Sequence, residues 1–108
     1  MEPNEVRLQI NLIKGIADMA LEACRRDDEV PQSLHESVAA LDMDVNSALQ
    51  AVQRTDDLSS IVQRVDDLEA SADRAKQATK RAYRISEHTR NAVLRAHDEI
   101  ARLKRQLH

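Results

Sequence analysis

Residues 32–108 contain neither glycine nor proline. The whole chain of 108 residues has one glycine, Gly15, and two prolines, Pro3 and Pro31. A sheet protein needs turn chemistry about every ten residues, and these two residue types supply most of it. The sequence therefore predicts an all-α protein, and its length predicts a single domain that spans residues 1–108.

The heptad pattern of the second half predicts one long helix. From Leu58 to Leu107, apolar or small residues recur with alternating spacings of three and four residues in one phase. Such a run is typical of a continuous supercoiled helix. We predict helices over about 4–26, 33–54 and 58–107. The expected architecture is a helical hairpin plus one long heptad helix, assembled as an oligomeric helical bundle or coiled coil; the alternative is a four-helix up-down bundle with a break near 86–91.

The first helix carries two neighbouring apolar stripes. The first stripe consists of Val6, Ile10, Ile13, Ala17, Ala20 and Cys24, and the second of Leu8, Leu12, Ile16, Met19 and Ala23. Two stripes make a wide apolar face, which is typical of a helix that packs against more than one neighbour. Gly15 weakens the helix by about 1 kcal/mol relative to alanine, and we interpret it as a site of close helix approach.

The difference in predicted helix length favours self-association. If the first two helices fold back on the first half of the long helix, segment 93–107 lacks a cover, and its apolar side chains need a second chain. A homodimer is the expected assembly, in either parallel or antiparallel orientation. The predicted oligomer interface consists of Val93, Ala96, Ile100, Leu103 and Leu107.

Charge is divided unevenly between the two parts of the chain. The net charge is −3, but residues 1–73 hold 16 acidic and 6 basic residues, whereas residues 74–108 hold 3 acidic and 10 basic ones. Such a split is typical of an anionic partner or of self-complementary chains. We favour the acidic half of a second subunit. The bases predicted to contact an anion or an acidic partner include Arg74, Lys76, Lys80, Arg81, Arg84, Arg90 and Arg95.

Several features argue against nucleic acid and membranes as partners. The chain is acidic overall, and Tyr83 is its one aromatic residue, so no platform for stacking bases exists. Alanine, serine and threonine accompany the bases where a membrane-surface helix needs large apolar residues, and no apolar run is long enough to cross a bilayer. A single cysteine and the absence of a signal-peptide pattern predict a cytoplasmic location.

The same inspection predicts no enzyme, cofactor or metal site. The four histidines are scattered, and none follows an acidic residue at the spacing used by di-iron bundles. Cys24 lies on an apolar stripe near a helix C-terminus, where a buried structural thiol is expected.

The leading hypothesis is a non-enzymatic, self-associating helical interaction module, such as a scaffold, an adaptor or a small regulatory protein. A subunit or chaperone with one cognate helical partner has the same pattern. The alternative is an anion- or nucleic-acid-binding module that uses the basic face of residues 74–105.

Overall fold

Four α-helices form the structure, a computed structural model that describes residues 1–108. They are α1 (Pro3–Arg26), α2 (Gln32–Gln53), α3 (Leu58–Lys80) and α4 (Glu87–Leu107). Each helix packs against the next one in sequence, and α4 also packs against α1, so the ring is closed. Short loops between consecutive helices make neighbours antiparallel. The bundle measures 42 × 21 × 18 Å, and the prediction of an all-α chain is confirmed.

The continuous helix predicted over 58–107 is wrong: the chain turns at residues 81–86, between α3 and α4. The alternative with a break near 86–91 is closer, although the turn comes a few residues earlier. The heptad pattern hid the turn because Ala82 inside it and Thr89 after it are both buried, as a continuous seam would require, and only the seam position between them, Ser86, is exposed. Ser86 is the signal that sequence reasoning missed, since its side chain accepts a hydrogen bond from the Thr89 N–H as the N-cap of α4.

Two charged side chains hold this turn in place. The Arg90 guanidinium donates to the carbonyl oxygens of Thr79 and Ala82, at 3.1 and 2.9 Å, and so satisfies the free end of α3. The Asp27 carboxylate accepts from the Ser86 N–H and the Thr89 hydroxyl, both at 2.9 Å. The α1–α2 loop is thereby fixed to the start of α4, and these bonds, above all the one from the Ser86 N–H, lower the pKa of Asp27.

The opposite end of the bundle is closed by Arg7. Its guanidinium donates to the carbonyl oxygens of Val52 and Thr55, both at 2.7 Å, and pairs with Asp56 at 2.5 Å. This anchors the α2–α3 loop to α1. The loop spans residues 54–57, between the helices predicted over about 33–54 and from 58 onward.

Helix starts differ slightly from those predicted. α1 begins at Pro3 and α2 at Gln32, each one residue before the predicted start. α3 is capped by Asp57, whose carboxylate accepts from the Ser59 N–H at 3.2 Å and the Ser60 hydroxyl at 2.8 Å.

Aliphatic side chains from all four helices fill the core. Large residues such as Ile10, Leu41 and Leu68 are buried, and Ala72 and Ala75 allow α3 to approach its neighbours closely. The first apolar stripe of α1 lies entirely in this core. The bundle therefore buries its own seam without aromatic side chains.

Asp27→Ala is expected to lower the free energy of unfolding at pH 7 by about 1–2 kcal/mol, because two donors at the start of α4 lose their acceptor. Since the pKa of Asp27 is lowered by folding, its contribution is present above its ordinary value of 3.8 and is lost as the pH falls. Urea denaturation at pH 7 and pH 3 measures both effects. The control is Asp28→Ala in the same loop, and equal losses for the two variants at pH 7 would contradict this role of Asp27.

Candidate protein-interaction face

Three large apolar side chains of α1 are open to solvent. Leu8, Leu12 and Met19 are 66%, 62% and 58% exposed. They belong to the second apolar stripe, in which Ile16 is half-buried and Ala23 is buried. Burial of such side chains is favourable by about 1.5–3 kcal/mol each. Within the chain, the first stripe of α1 is therefore covered, whereas most of the second stripe is open to solvent.

Gly15 lies in the middle of this exposed row. Leu8, Leu12, Gly15 and Met19 are spaced 4-3-4, which places them along one side of the helix, as in a coiled-coil seam. We call these four residues the outer α1 seam. Apart from its two chain neighbours and the adjacent backbone of α1, no atom lies within 4 Å of the position that a Cβ of Gly15 would occupy. The close helix approach predicted at Gly15 is not made within the chain.

A groove between α1 and α4 borders the outer α1 seam. One part, of about 190 Å³, is lined by Ile16, Met19, His88, Asn91, Ala92 and Arg95. At Met19 and His88 it adjoins a more polar recess of about 490 Å³, which is lined mainly by the ends of α1 and α4. A groove that is bordered by polar side chains therefore lies beside the outer α1 seam.

The residues predicted as an oligomer interface are placed in the core of the single chain. Val93, Ala96, Ile100 and Leu103 are at most 2% exposed, and Leu107 packs against the same core. The expectation that segment 93–107 lacks a cover is wrong, because the turn at 81–86 folds α4 back between α3 and α1. The uncovered apolar surface lies on α1, and not on segment 93–107, where the sequence predicts it.

The structure brings only some of the predicted basic residues together. Lys80, Arg81 and Arg84 are exposed in or beside the α3–α4 turn, next to Tyr83, which is 89% exposed. The other bases that the sequence predicts as contacts lie apart from this group. Arg74 donates to Ser71, Arg90 caps α3, Lys76 is half-buried on α3, and Arg95 lies on the rim of the α1–α4 groove.

Part of the charge split is neutralised between α3 and α4. Lys104 pairs with Glu69 at 2.9 Å, and the ring of His97 contacts Asp73 at 2.8 Å. The hydrogen bond to Glu69 raises the pKa of Lys104. Lys104, which belongs to the basic part of the sequence, therefore pairs with an acidic residue of its own chain.

One cluster of titratable groups lies between α1 and α2. Lys14 pairs with Asp18 at 2.7 Å, and Asp42 of α2 faces this pair with its Oδ1 atom buried and without a hydrogen-bond partner. Burial and the neighbouring Asp18 carboxylate raise the pKa of Asp42 to about 6. The neighbouring Asp42 carboxyl and the hydrogen bond from Lys14 lower the pKa of Asp18. Asp42 thus takes up a proton more readily than an isolated carboxyl does.

The remaining chemistry-bearing groups form no further centre. Cys24 is buried, as predicted, and burial followed by the charge of Asp27 raises the pKa of its thiol to about 11. No three or more histidine, cysteine, aspartate or glutamate side chains are grouped so that they could hold a metal ion. None of the four helices combines the length and the apolar character that crossing a bilayer requires.

Comparison with protein-family models, with curated proteins and with solved structures finds no match to this chain. The outer α1 seam is the most distinctive feature of the protein surface.

Asp42→Asn is expected to raise the free energy of unfolding at pH 8 by about 1 kcal/mol, and to have little effect at pH 4. The pKa of Asp42 in the folded chain, about 6, lies above its ordinary value of 3.8. Protonation of Asp42 therefore favours folding below 3.8, and this contribution is lost as the pH rises through 6. Urea denaturation from pH 4 to 8 measures the difference, with Asp28→Asn as the control. A gain that does not change with pH would contradict the assignment.

Proposed function

We propose that this chain is a non-enzymatic helical interaction module that binds an amphipathic helix on the outer α1 seam. In such a role it acts as a scaffold, an adaptor or a small regulatory protein. The observation that carries the proposal is the row of exposed Leu8, Leu12 and Met19 around Gly15. A cytoplasmic location stays a prediction from the sequence.

The geometry of the seam suits a helix as the partner. Anchors spaced 4-3-4 along one helix match the way an amphipathic helix is recognised, through residues one turn apart. The thioether of Met19 adapts to irregular partners, because its side chain is unbranched and flexible. Polar groups such as His88 and Arg95 of α4 border the apolar row and provide the rim that interfaces usually have.

Other exposed apolar residues do not form a comparable row. Met43 is 69% exposed on α2, Leu58 is partly exposed at the start of α3, and Tyr83 is in the α3–α4 turn. Single exposed apolar residues are common on any protein surface, whereas contiguous patches mark interaction sites. The outer α1 seam is therefore the preferred docking face, and Met43 offers a matched control.

The alternative is an anion- or nucleic-acid-binding module. The observation in its favour is the exposed group of Lys80, Arg81 and Arg84 beside Tyr83. The acidic residues Asp28 and Glu29 belong to the α1–α2 loop that Asp27 fixes to the start of α4, and they would repel a polyanion. The bases of residues 74–105 are also spread over several surfaces, so we rank this function second.

A synthetic amphipathic helix with leucine at 4-3-4 spacing serves as the test ligand. Titrated into ¹⁵N-labelled protein at about 10 μM, it is expected to shift the amide signals of residues 8–19 and of the facing part of α4. Leu12→Asp is expected to weaken binding by about 10-fold or more, since a charge replaces a buried anchor. Met43→Asp is the control and leaves binding unchanged. Shifts confined to other faces, or no binding by a monomeric protein, would overturn the proposal.

A further inference from the structure

We propose that the helix that binds the outer α1 seam is α1 of a second copy of this chain, in antiparallel orientation. This inference rests on the docking function proposed above and names its partner. Two copies related by a twofold axis would place Leu12 of each chain over Gly15 of the other.

The spacing of the seam makes it complementary to itself. Leu8, Leu12, Gly15 and Met19 are separated by four, three and four residues, so the same spacing results when the helix is read in reverse. In an antiparallel pair, Leu8 then lies opposite Met19 and Leu12 lies opposite Gly15, on both sides of the twofold axis. Such isologous contacts are the usual form of a homodimer interface.

Side-chain size distinguishes antiparallel from parallel pairing. The space beside Gly15 is empty in the single chain, and a leucine from the facing helix would fill it. A parallel pair would instead set Gly15 against Gly15 and leave a gap between two backbones. Alternation of large and small residues across an interface gives closer packing, which favours the antiparallel arrangement.

Gly15 is also difficult to explain without a facing helix. It lies in the interior of α1, where glycine destabilises a helix relative to alanine. No turn requires it, because α1 continues to Arg26 and no residue of the chain has a positive φ. Close approach of another backbone is the remaining structural use of a glycine at such a position.

Charge along α1 agrees with the same orientation. The first turn of α1 carries the acidic Glu5, and its last turn carries the basic Arg25 and Arg26. In this antiparallel register Glu5 of one chain lies opposite Glu22 of the other, with Arg26 one turn further along the partner helix, whereas a parallel pair sets Glu5 against Glu5 without a base beside it. Arg26 already pairs with Glu22 of its own chain at 2.8 Å, so it would bridge two carboxylates at the edge of the interface.

The dimer is expected to be weak. The seam from Leu8 to Met19 extends over about 16 Å of helix, which is short for a stable interface of standard size. A dissociation constant on the order of 10 μM is therefore expected.

Sedimentation velocity from about 1 to 500 μM tests the inference. We expect a monomer at the lowest concentration and a dimer at the highest. Leu12→Asp is expected to raise the dissociation constant about 100-fold, Leu8→Lys provides a second variant of the seam, and Met43→Asp is the control without effect. Gly15→Ala is expected to raise the dissociation constant about 10-fold, since a methyl group would separate the backbones, while it raises the midpoint of urea unfolding of the monomer.

Orientation is tested by exchanging charges. Glu5→Arg and Arg26→Glu are each expected to raise the dissociation constant about threefold, and the double variant is expected to restore it. The lack of such rescue would overturn the antiparallel arrangement. A wild-type protein that stays monomeric at 500 μM, or a dimer unaffected by Leu12→Asp, would overturn the inference as a whole. The titration with the synthetic helix then decides separately whether the docking function fails as well.

Discussion

The closure of the helical ring depends on how the chain satisfies its backbone at residues 79–90. An uninterrupted seam can fold back on itself only if the last carbonyls of α3 and the first amides of α4 find partners. Arg90 supplies donors to the Thr79 and Ala82 carbonyls, and Asp27 supplies an acceptor to Ser86. Because Asp27 follows α1 directly, the same interaction brings α4 against α1.

This closure decides which apolar surface stays exposed. With α4 between α3 and α1, the residues from Val93 to Leu103 are buried inside one chain. Of the second stripe of α1, Ala23 is buried and Ile16 packs against the core, but Leu8, Leu12 and Met19 are left to solvent. The proposed docking face is thus a consequence of the fold, since an open arrangement with a long helix would leave α4 exposed instead.

Much of the fold could be predicted from the sequence, because apolar periodicity and the lack of glycine and proline report directly on helices. The turn at 81–86 could not, because the heptad positions Ala82 and Thr89 are buried as they would be in a continuous helix. The proposed docking face could be predicted from the sequence only in part. Two stripes on α1 are visible in the sequence, but which of them is covered depends on where α4 lies. That position involves a long-range hydrogen bond from the Ser86 N–H to the Asp27 carboxylate, which apolar periodicity does not reveal.

The distance between the start of α3 and the end of α4 tests this account most directly. Spin labels at positions 60 and 105, in a Cys24→Ala background and at low protein concentration, measure it by pulsed electron paramagnetic resonance. The closed bundle, in which His108 contacts Asp66 at 3.1 Å, predicts a distance below about 25 Å, because adjacent helices lie about 10 Å apart. A continuous helix would separate the labels by roughly 68 Å, and a distance near that value would contradict the account.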